Sequence, residues 1–248
     1  MPSAASHFFI IGAQRCGTSL LYELLDELPD VAMARPIRPE PKWFLDPGTI
    51  DREAQARHLR LFHDIAASHL GEKSTSYIEH PEVASRILET YPHARFLVLL
   101  REPVARALSN YRFSVENGIE ELPLDNALTP EAEDRLYDPQ LFSVSPFAYL
   151  KRGRYIEYLQ PWLKEVSSEQ LFVVIFEELV SRGETFEEVC SFLGVKASGQ
   201  RKPARVVNAS IEPMPAVSNQ LRSRLEKYFA PVNARLELLL GRRLLTWR

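Results

Sequence analysis

Short, continuous apolar runs separated by stretches of helical periodicity dominate the hydrophobic pattern of this chain. Four runs lack the alternation of a half-exposed strand, and they cover residues 7–11, 68–71, 95–100 and 171–176. Strands buried on both faces have this character, which is typical of a parallel sheet covered by helices. The pattern therefore predicts four central strands.

Amphipathic helical stretches lie between and after these runs. Pro81 and Pro103 stand at the start of two of them, where a first helical turn tolerates a residue without an N–H. The predicted helices are residues 18–28, 52–67, 81–91, 104–117, 156–165, 184–193 and 217–240. Strands that alternate with helices predict a three-layer α/β fold, a mostly parallel central sheet flanked by helices with right-handed crossovers.

Two segments show no clear period. Residues 197–215, with three prolines, are predicted to form a long ordered loop. Residues 122–146, rich in proline and acidic side chains, are predicted to contain one short helix around residues 130–137. No repeat, low-complexity tract or Gly/Ser linker marks a boundary, so residues 1–248 are predicted to form a single domain.

Composition narrows the class of protein. The 248 residues are 45% hydrophobic and 25% charged, the mix of a globular chain with a sizeable core. Cys16 and Cys190 stand far apart, and no cysteine or histidine cluster has metal-site spacing, so neither a disulfide framework nor a metal site is expected. With no secretory leader and no apolar run near 18 residues, the chain is expected to be cytoplasmic and to have no membrane partner.

Charge is unevenly distributed along the chain. The net charge is −3, but residues 201–248 carry ten Lys and Arg against three Glu, which leaves 20 basic and 30 acidic side chains in the first 200 residues. With that balance, nucleic acid is not an expected partner. The basic end is either a local anion site or a solvated helix face.

The segment after the first strand carries the strongest chemical signal. Residues 12–19 (Gly-Ala-Gln-Arg-Cys-Gly-Thr-Ser) form a loop bounded by glycines that opens a helix. Backbone N–H groups, the positive helix end and the hydroxyls of Thr18 and Ser19 then converge on one anion, which predicts a phosphate-binding loop. The glycine spacing equals that of the P-loop, but Thr18 replaces the lysine that nucleotide-hydrolysing enzymes need, and Arg15 is the cation instead.

Three other interpretations of this P-loop-like segment are open at this point. A P-loop kinase or NTPase is disfavoured by Thr18 and by the lack of an apolar strand ending in a Mg²⁺-binding aspartate. A non-catalytic nucleotide-binding module and a strand-to-helix turn with no ligand are the other two.

Several segments together resemble the sulfotransferases that use 3′-phosphoadenosine 5′-phosphosulfate (PAPS). The loop is similar to their 5′-phosphosulfate loop, and residues 96–111 are similar to their strand, Arg-(Asp/Glu)-Pro and helix motif for the 3′-phosphate. Residues 39–44 resemble the acidic–x–x–aromatic–Phe segment of glycosaminoglycan and related bacterial members, and residues 71–77 resemble their Glu-Lys-(Ser/Thr)-x-x-Tyr segment. With a similar last helix, the likeness extends from about residue 7 to residue 247.

The resemblance implies that PAPS is the donor, with adenosine 3′,5′-bisphosphate as the product. Arg101 and Ser109 match the residues that grip the 3′-phosphate, and Lys202 and Arg205 lie where the family closes over the 3′-phosphate and the adenine. The predicted donor-binding residues are Arg15, Cys16, Gly17, Thr18, Ser19, Arg101, Ser109, Lys202 and Arg205.

The resemblance also implies how the sulfuryl group moves. Glu40 is predicted to be the general base that takes the acceptor proton, while Arg15 and Lys73 neutralise the sulfate and the bridging oxygen. In-line transfer of this kind needs no covalent enzyme intermediate and no metal. The alternatives are a solvated turn position for Glu40 and an exposed surface position for Lys73.

The acceptor is predicted to be a hydroxylated small molecule or glycan, or an amine, and no oligomeric state is predicted. Residues 116–138 carry eight acidic side chains against Arg135, so like charge favours a small neutral or cationic acceptor over a polyanionic glycan. Pro39 stands where many relatives have Lys, and Cys190 lacks a nearby partner for the late disulfide of the animal glycan enzymes. Both departures indicate that the acceptor site differs from theirs.

Overall fold

Five parallel strands form one sheet in a computed structural model that describes residues 5–48, 51–197 and 216–247. The strands are β1 (Ser6–Gly12), β2 (Val31–Met33), β3 (His69–Lys73), β4 (Arg95–Leu100) and β5 (Leu171–Ile175). Their order is β2-β3-β1-β4-β5, and every pairing is parallel. This sheet, flanked by helices, confirms the predicted α/β class.

The α-helices of the described residues account for most of the remaining regular structure. They are α1 (Thr18–Asp26), α2 (Arg52–Leu59), α3 (Glu82–Thr90), α4 (Pro103–Glu116), α5 (Leu124–Ala127), α6 (Tyr155–Glu165), α7 (Phe176–Ser181), α8 (Gly183–Leu193) and α9 (Asn219–Leu240). All seven predicted helices are present. The predicted loop at residues 197–215 lies, after Ala197, outside the described residues.

Several elements differ from the sequence prediction, among them the short helix α5, which was not predicted. The predicted helix 52–67 ends at Leu59, because the chain turns there and Phe62 pairs with Ala34 in an isolated antiparallel bridge. The predicted helix at 130–137 is only a 3-10 turn, Glu131–Asp134. β2 was not predicted, since three residues are too few for a periodic signal. α7 was not predicted either, because β5 runs into it without a turn.

The sheet is covered on both faces. Residues 96–100 of β4 are fully buried, and the side chains of residues 8–11 in β1 are almost fully buried. Gly71 on β3 leaves room for this packing, because a Cβ there would lie 2.2 Å from the Phe8 ring and 2.5 Å from Met33 Sδ. Any larger residue at position 71 would separate the side chains packed against β3.

The chain divides into two compact units, each built from two segments. The first unit comprises the described residues of Met1–Leu100 and Pro161–Val207 and contains the sheet. The second comprises those of Arg101–Gln160 and Asn208–Arg248, with α4 and α9 as its long helices. In the second unit a Cβ at Gly153 would lie 2.6 Å from the Phe229 ring, so the chain passes close to α9 at this point. The single domain over residues 1–248 stays a prediction.

Part of the acidic segment at residues 116–138 is paired inside the second unit. Glu120 is buried and accepts hydrogen bonds of 2.8 and 2.6 Å from the Arg135 guanidinium. Burial alone would raise the pKa of Glu120, but the bonds from Arg135 and the Leu122 N–H lower it. Glu133 accepts the backbone N–H of Lys151 at 3.0 Å, and Asp134 pairs with its Nζ at 2.8 Å. Two of the eight acidic side chains, Glu120 and Asp134, therefore have a cation beside them.

The first unit should lose stability in mild acid through His7. His7 stacks on Tyr91 with ring centroids 3.7 Å apart, and burial, followed by the neighbouring His58, lowers the pKa of His7 to about 4. An unfolded histidine titrates near 6.5, so between about pH 6.5 and 4 the unfolded state binds more protons and the folded state loses stability as the pH falls.

The variant His7→Phe keeps a ring against Tyr91. Between pH 7 and pH 4.5 we expect its free energy of unfolding to fall by about 2–3 kcal/mol less than that of the wild type. Urea unfolding of both proteins at the two pH values measures this difference. Because His69 remains in both proteins, its own lowered pKa cancels in the comparison. Equal losses in wild type and variant would show that His7 does not carry this pH dependence.

Candidate functional site

The loop between β1 and α1 starts at the centre of the sheet, since β1 lies between β3 and β4. The N–H of Ala13 donates to Leu99 O at 2.8 Å and ties the loop to β4. Gly17 has φ 86°, and a Cβ there would lie 2.3 Å from the Phe176 ring. Arg15 also lies in the left-handed region, with φ 65°. The loop conformation thus depends on glycine at position 17.

The loop suits an anion. α1 begins at Thr18, and no side chain caps its first turn. Helix ends of this kind bind anions through their backbone N–H groups and the positive end of the helix dipole. Arg15 and Ser19 are half-buried, whereas Cys16 and Thr18 are buried. The Cys16 N–H donates to Ala13 O at 3.3 Å within the loop. These features fit the negative phosphosulfate end of PAPS, and the contacts themselves stay predictions.

Glu40 and Lys73 form an ion pair although they lie 33 residues apart. Lys73 is the last residue of β3, is 3% exposed, and donates through Nζ to Glu40 Oε1. Thr75 holds the other carboxylate oxygen, Oε2, through its N–H at 2.8 Å and its Oγ1 at 2.9 Å. Lys73 is therefore not an exposed lysine, and Glu40 is not a solvated turn residue.

This ion pair lies beside the loop, within the first unit. Lys73 is the register partner of Ile10 on β1, and the Ser74 N–H donates to Ile10 O at 3.1 Å. A Cβ on Gly12, the first loop residue, would lie 3.1 Å from Thr75 O. A carboxylate and an ammonium group therefore stand next to the loop between β1 and α1, and group transfer to a hydroxyl needs a proton acceptor and a cation placed together in this way.

Arg101 and Ser109 belong to the second unit. Both are half-buried, and the Tyr155 hydroxyl donates to Arg101 O at 2.8 Å, which fixes the backbone there. Glu102 caps α4 by accepting the N–H groups of Val104 at 2.8 Å and Ala105 at 2.6 Å. The start of α4 is thus already occupied by a carboxylate.

Other candidate residues take different places. Lys202 and Arg205 lie outside the described residues. Arg154, which precedes α6, pairs with Glu157 at 2.8 and 2.5 Å. In residues 5–48, 51–197 and 216–247, no group of three His, Cys, Asp or Glu is placed to hold a metal ion. Over the same ranges no helix has both the length and the apolar character needed to cross a membrane.

The sequence did not reveal the residues that support Glu40. Thr75 donates to its carboxylate through both its N–H and its hydroxyl, and the neighbouring Glu72, Ser74 and Tyr77 form a buried polar cluster. These residues do lie in the segment that resembles the family's Glu-Lys-(Ser/Thr)-x-x-Tyr pattern. The contacts of Thr75, Ser74 and Tyr77 with residues 40–44, however, join positions more than 30 residues apart and leave no local signal.

Several known proteins are similar to this chain in sequence. Residues 5–227 match the family model described as a sulfotransferase domain. Heparan sulfate glucosamine 3-O-sulfotransferase 3B1 of Mus musculus is 27% identical over 97% of this chain and 68% of its own length. Carbohydrate sulfotransferase 15 of Rattus norvegicus is 26% identical over 98% of this chain and 54% of its own length. The chain thus spans about two thirds or less of these curated relatives.

Solved structures agree with the sequence matches. A sulfotransferase from Alicyclobacillus acidocaldarius superimposes with a TM-score of 0.77 at 29% identity, covering 99% of both chains. A sulfotransferase from Mycobacterium avium, at 13% identity and a TM-score of 0.54, shares the fold alone. Since the family match extends over most of the chain, this protein belongs to the sulfotransferase domain family.

Proposed function

We propose that this protein is a PAPS-dependent sulfotransferase that acts by in-line displacement. The observation that carries the proposal is the Glu40–Lys73 ion pair. It lies beside the loop between β1 and α1, and no side chain caps the start of α1. PAPS supplies a sulfuryl group already activated as a phosphosulfate anhydride. Arg15 and the loop N–H groups bind the phosphosulfate end, and Arg101 and Ser109 bind the 3′-phosphate.

Each residue has a defined part in the transfer. Glu40 removes the proton from the acceptor hydroxyl as the new oxygen–sulfur bond forms. Lys73, held in the structure by Glu40, neutralises the bridging oxygen as its bond to sulfur breaks. Thr75 keeps the Glu40 carboxylate in place through the two bonds to Oε2. The proton ends on Glu40, and the electron pair of the broken bond ends on the leaving phosphate.

The acceptor is a hydroxyl, or an amine, of a small molecule or a glycan. The names of the curated relatives include a heparan sulfate glucosamine and a carbohydrate sulfotransferase, which supports a glycan. Glu120 and Asp134 pair with the cations Arg135 and Lys151 within the second unit, which offsets the charge of these two carboxylates towards an anionic acceptor. Pro39, in place of the family lysine, keeps small neutral acceptors in the proposal.

A direct test incubates the protein with PAPS and a mixture of metabolites and glycan fragments. We expect products heavier than their precursors by one sulfuryl group, found by mass spectrometry, with stoichiometric release of adenosine 3′,5′-bisphosphate. The Glu40→Gln protein is the matched control. Tight binding of the bisphosphate without transfer to any acceptor in the mixture would favour a non-catalytic nucleotide-binding module.

Turnover should not require a divalent metal. Arg15 and Lys73 supply the positive charge that Mg²⁺ provides in nucleotide-hydrolysing enzymes, so sulfuryl transfer is expected to stay within about twofold after EDTA treatment. The rate with PAPS, with and without EDTA, measures this. Complete loss that Mg²⁺ restores, together with Mg²⁺-dependent ATP hydrolysis, would favour the P-loop kinase or NTPase interpretation.

A further inference from the structure

A buried carboxylate lies next to Lys73 along β3. Glu72 is 1% exposed, and its Oε1 accepts the hydroxyls of Ser74 at 2.7 Å and Tyr77 at 2.6 Å. Its Oε2 contacts His58 Nε2 at 2.9 Å, which fixes the orientation of the carboxylate. Glu72 neighbours Lys73 on β3 but points to the opposite face of the strand, so it makes no contact of its own with Glu40.

Both hydroxyls also accept backbone N–H groups of the segment after Glu40. The Lys42 N–H donates to Ser74 Oγ at 2.8 Å, and the Phe44 N–H donates to Tyr77 Oη at 2.9 Å. Each hydroxyl has one hydrogen and donates it in a hydrogen bond to Glu72. The lone pairs of the hydroxyl oxygen therefore remain to accept the backbone N–H. Burial, and next the Glu72 charge, raise the pKa of Tyr77 well above its ordinary value, so this hydroxyl keeps its proton.

The segment held in this way has an unfavourable conformation. Lys42 has φ 51°, a left-handed angle that non-glycine residues seldom adopt and that costs on the order of 1 kcal/mol. Such an angle persists only where the surroundings impose it, and the two hydroxyl contacts lie on either side of it along the chain. Glu40 is two residues before Lys42, so the same contacts determine where its carboxylate meets Lys73.

We propose that Glu72 is a positioning residue that acts through Ser74 and Tyr77 to hold Glu40 in place for proton removal. This inference rests on the proposed function, because Glu40 is the base of the reaction described above. A displacement of about 1 Å at a catalytic group costs up to about 100-fold in rate. The loss of either hydroxyl should therefore reduce turnover without changing a donor-binding residue.

The experiment compares Tyr77→Phe and Ser74→Ala with Tyr149→Phe. Tyr149 is the matched control, since it too is a buried tyrosine whose hydroxyl donates to a buried glutamate, Glu120, at 2.9 Å. We expect kcat to fall about tenfold or more in Tyr77→Phe and to fall in Ser74→Ala, while affinity for adenosine 3′,5′-bisphosphate stays within about twofold. Tyr149→Phe should keep kcat within about twofold.

A second comparison separates positioning from general destabilisation. In a Glu40→Gln background, Tyr77→Phe should change kcat by less than about twofold, because its effect in the wild type acts through Glu40. An undiminished loss in that background would overturn the inference. Ser74→Ala gives the same comparison if the tyrosine variant does not fold.

Amide hydrogen exchange tests, independently of activity, whether the two hydroxyls hold the segment at residues 42–44. We expect faster exchange at Lys42 and Phe44 in Tyr77→Phe and Ser74→Ala, and wild-type exchange there in Tyr149→Phe. Wild-type exchange in all three variants would overturn the inference even if the enzyme is a sulfotransferase. If the wild type transfers no sulfuryl group, the proposed function and this catalytic role both fail, while the exchange data still report whether the hydroxyls hold the segment.

Discussion

Replacing Glu40 with glutamine is expected to lower kcat at least about 100-fold and to leave adenosine 3′,5′-bisphosphate affinity within about threefold. Glutamine keeps the shape of the side chain and a carbonyl oxygen for the Thr75 N–H, which Glu40 accepts at 2.8 Å. It removes the proton acceptor, and a neutral hydroxyl is a poor nucleophile while it keeps its proton. Steady-state kinetics with PAPS and calorimetry with the bisphosphate measure the two quantities.

Glu53→Gln is the control for this change. Glu53 is also a carboxylate in an ion pair, with Arg57 at 2.7 Å, but the pair is exposed on α2. We expect wild-type kinetics from it, since exposed pairs of this kind contribute little. Near-normal turnover in Glu40→Gln would place the base elsewhere, and Pro39 would then be the first sign of a rebuilt acceptor site.

Replacing Arg101 with alanine is expected to weaken adenosine 3′,5′-bisphosphate binding about 10- to 150-fold, which corresponds to the loss of about 1.5–3 kcal/mol for a charged hydrogen bond. Glu102 already accepts the N–H groups of Val104 and Ala105 at the start of α4. The proposed 3′-phosphate site therefore relies on the side chains of Arg101 and Ser109.

Binding of AMP, which lacks the 3′-phosphate, provides the internal comparison. We expect the wild type to prefer the bisphosphate over AMP, and Arg101→Ala to lose most of that preference while AMP affinity is unchanged. Arg235→Ala serves as the control, since this arginine is exposed on α9, donates to the Gln160 side chain at 3.2 Å and is not one of the predicted donor-binding residues. Equal wild-type affinity for AMP and the bisphosphate would contradict a 3′-phosphate site.

The sequence by itself determined the fold class and the place of the loop between β1 and α1, whose binding of an anion stays a prediction. β4 is found at the predicted residues 95–100, because a strand buried on both faces must be apolar throughout and is readable without its neighbours. The loop was equally readable, since strand, glycines and helix start are consecutive and their geometry is local. Where an element was too short, as in β2, or joined another without a turn, as in α7, local pattern failed.

Only the tertiary structure decided how the candidate catalytic groups are held. The sequence shows that Glu40, Lys73 and Thr75 are present, but their pairing depends on which strand lies next to β1 and on a segment more than 30 residues away. The contacts of the Ser74 and Tyr77 hydroxyls with Lys42 and Phe44 likewise depend on the tertiary structure. A hydrogen bond forms where a donor and an acceptor meet at about 3 Å, and that distance is set by the packing of remote segments, not by residue type.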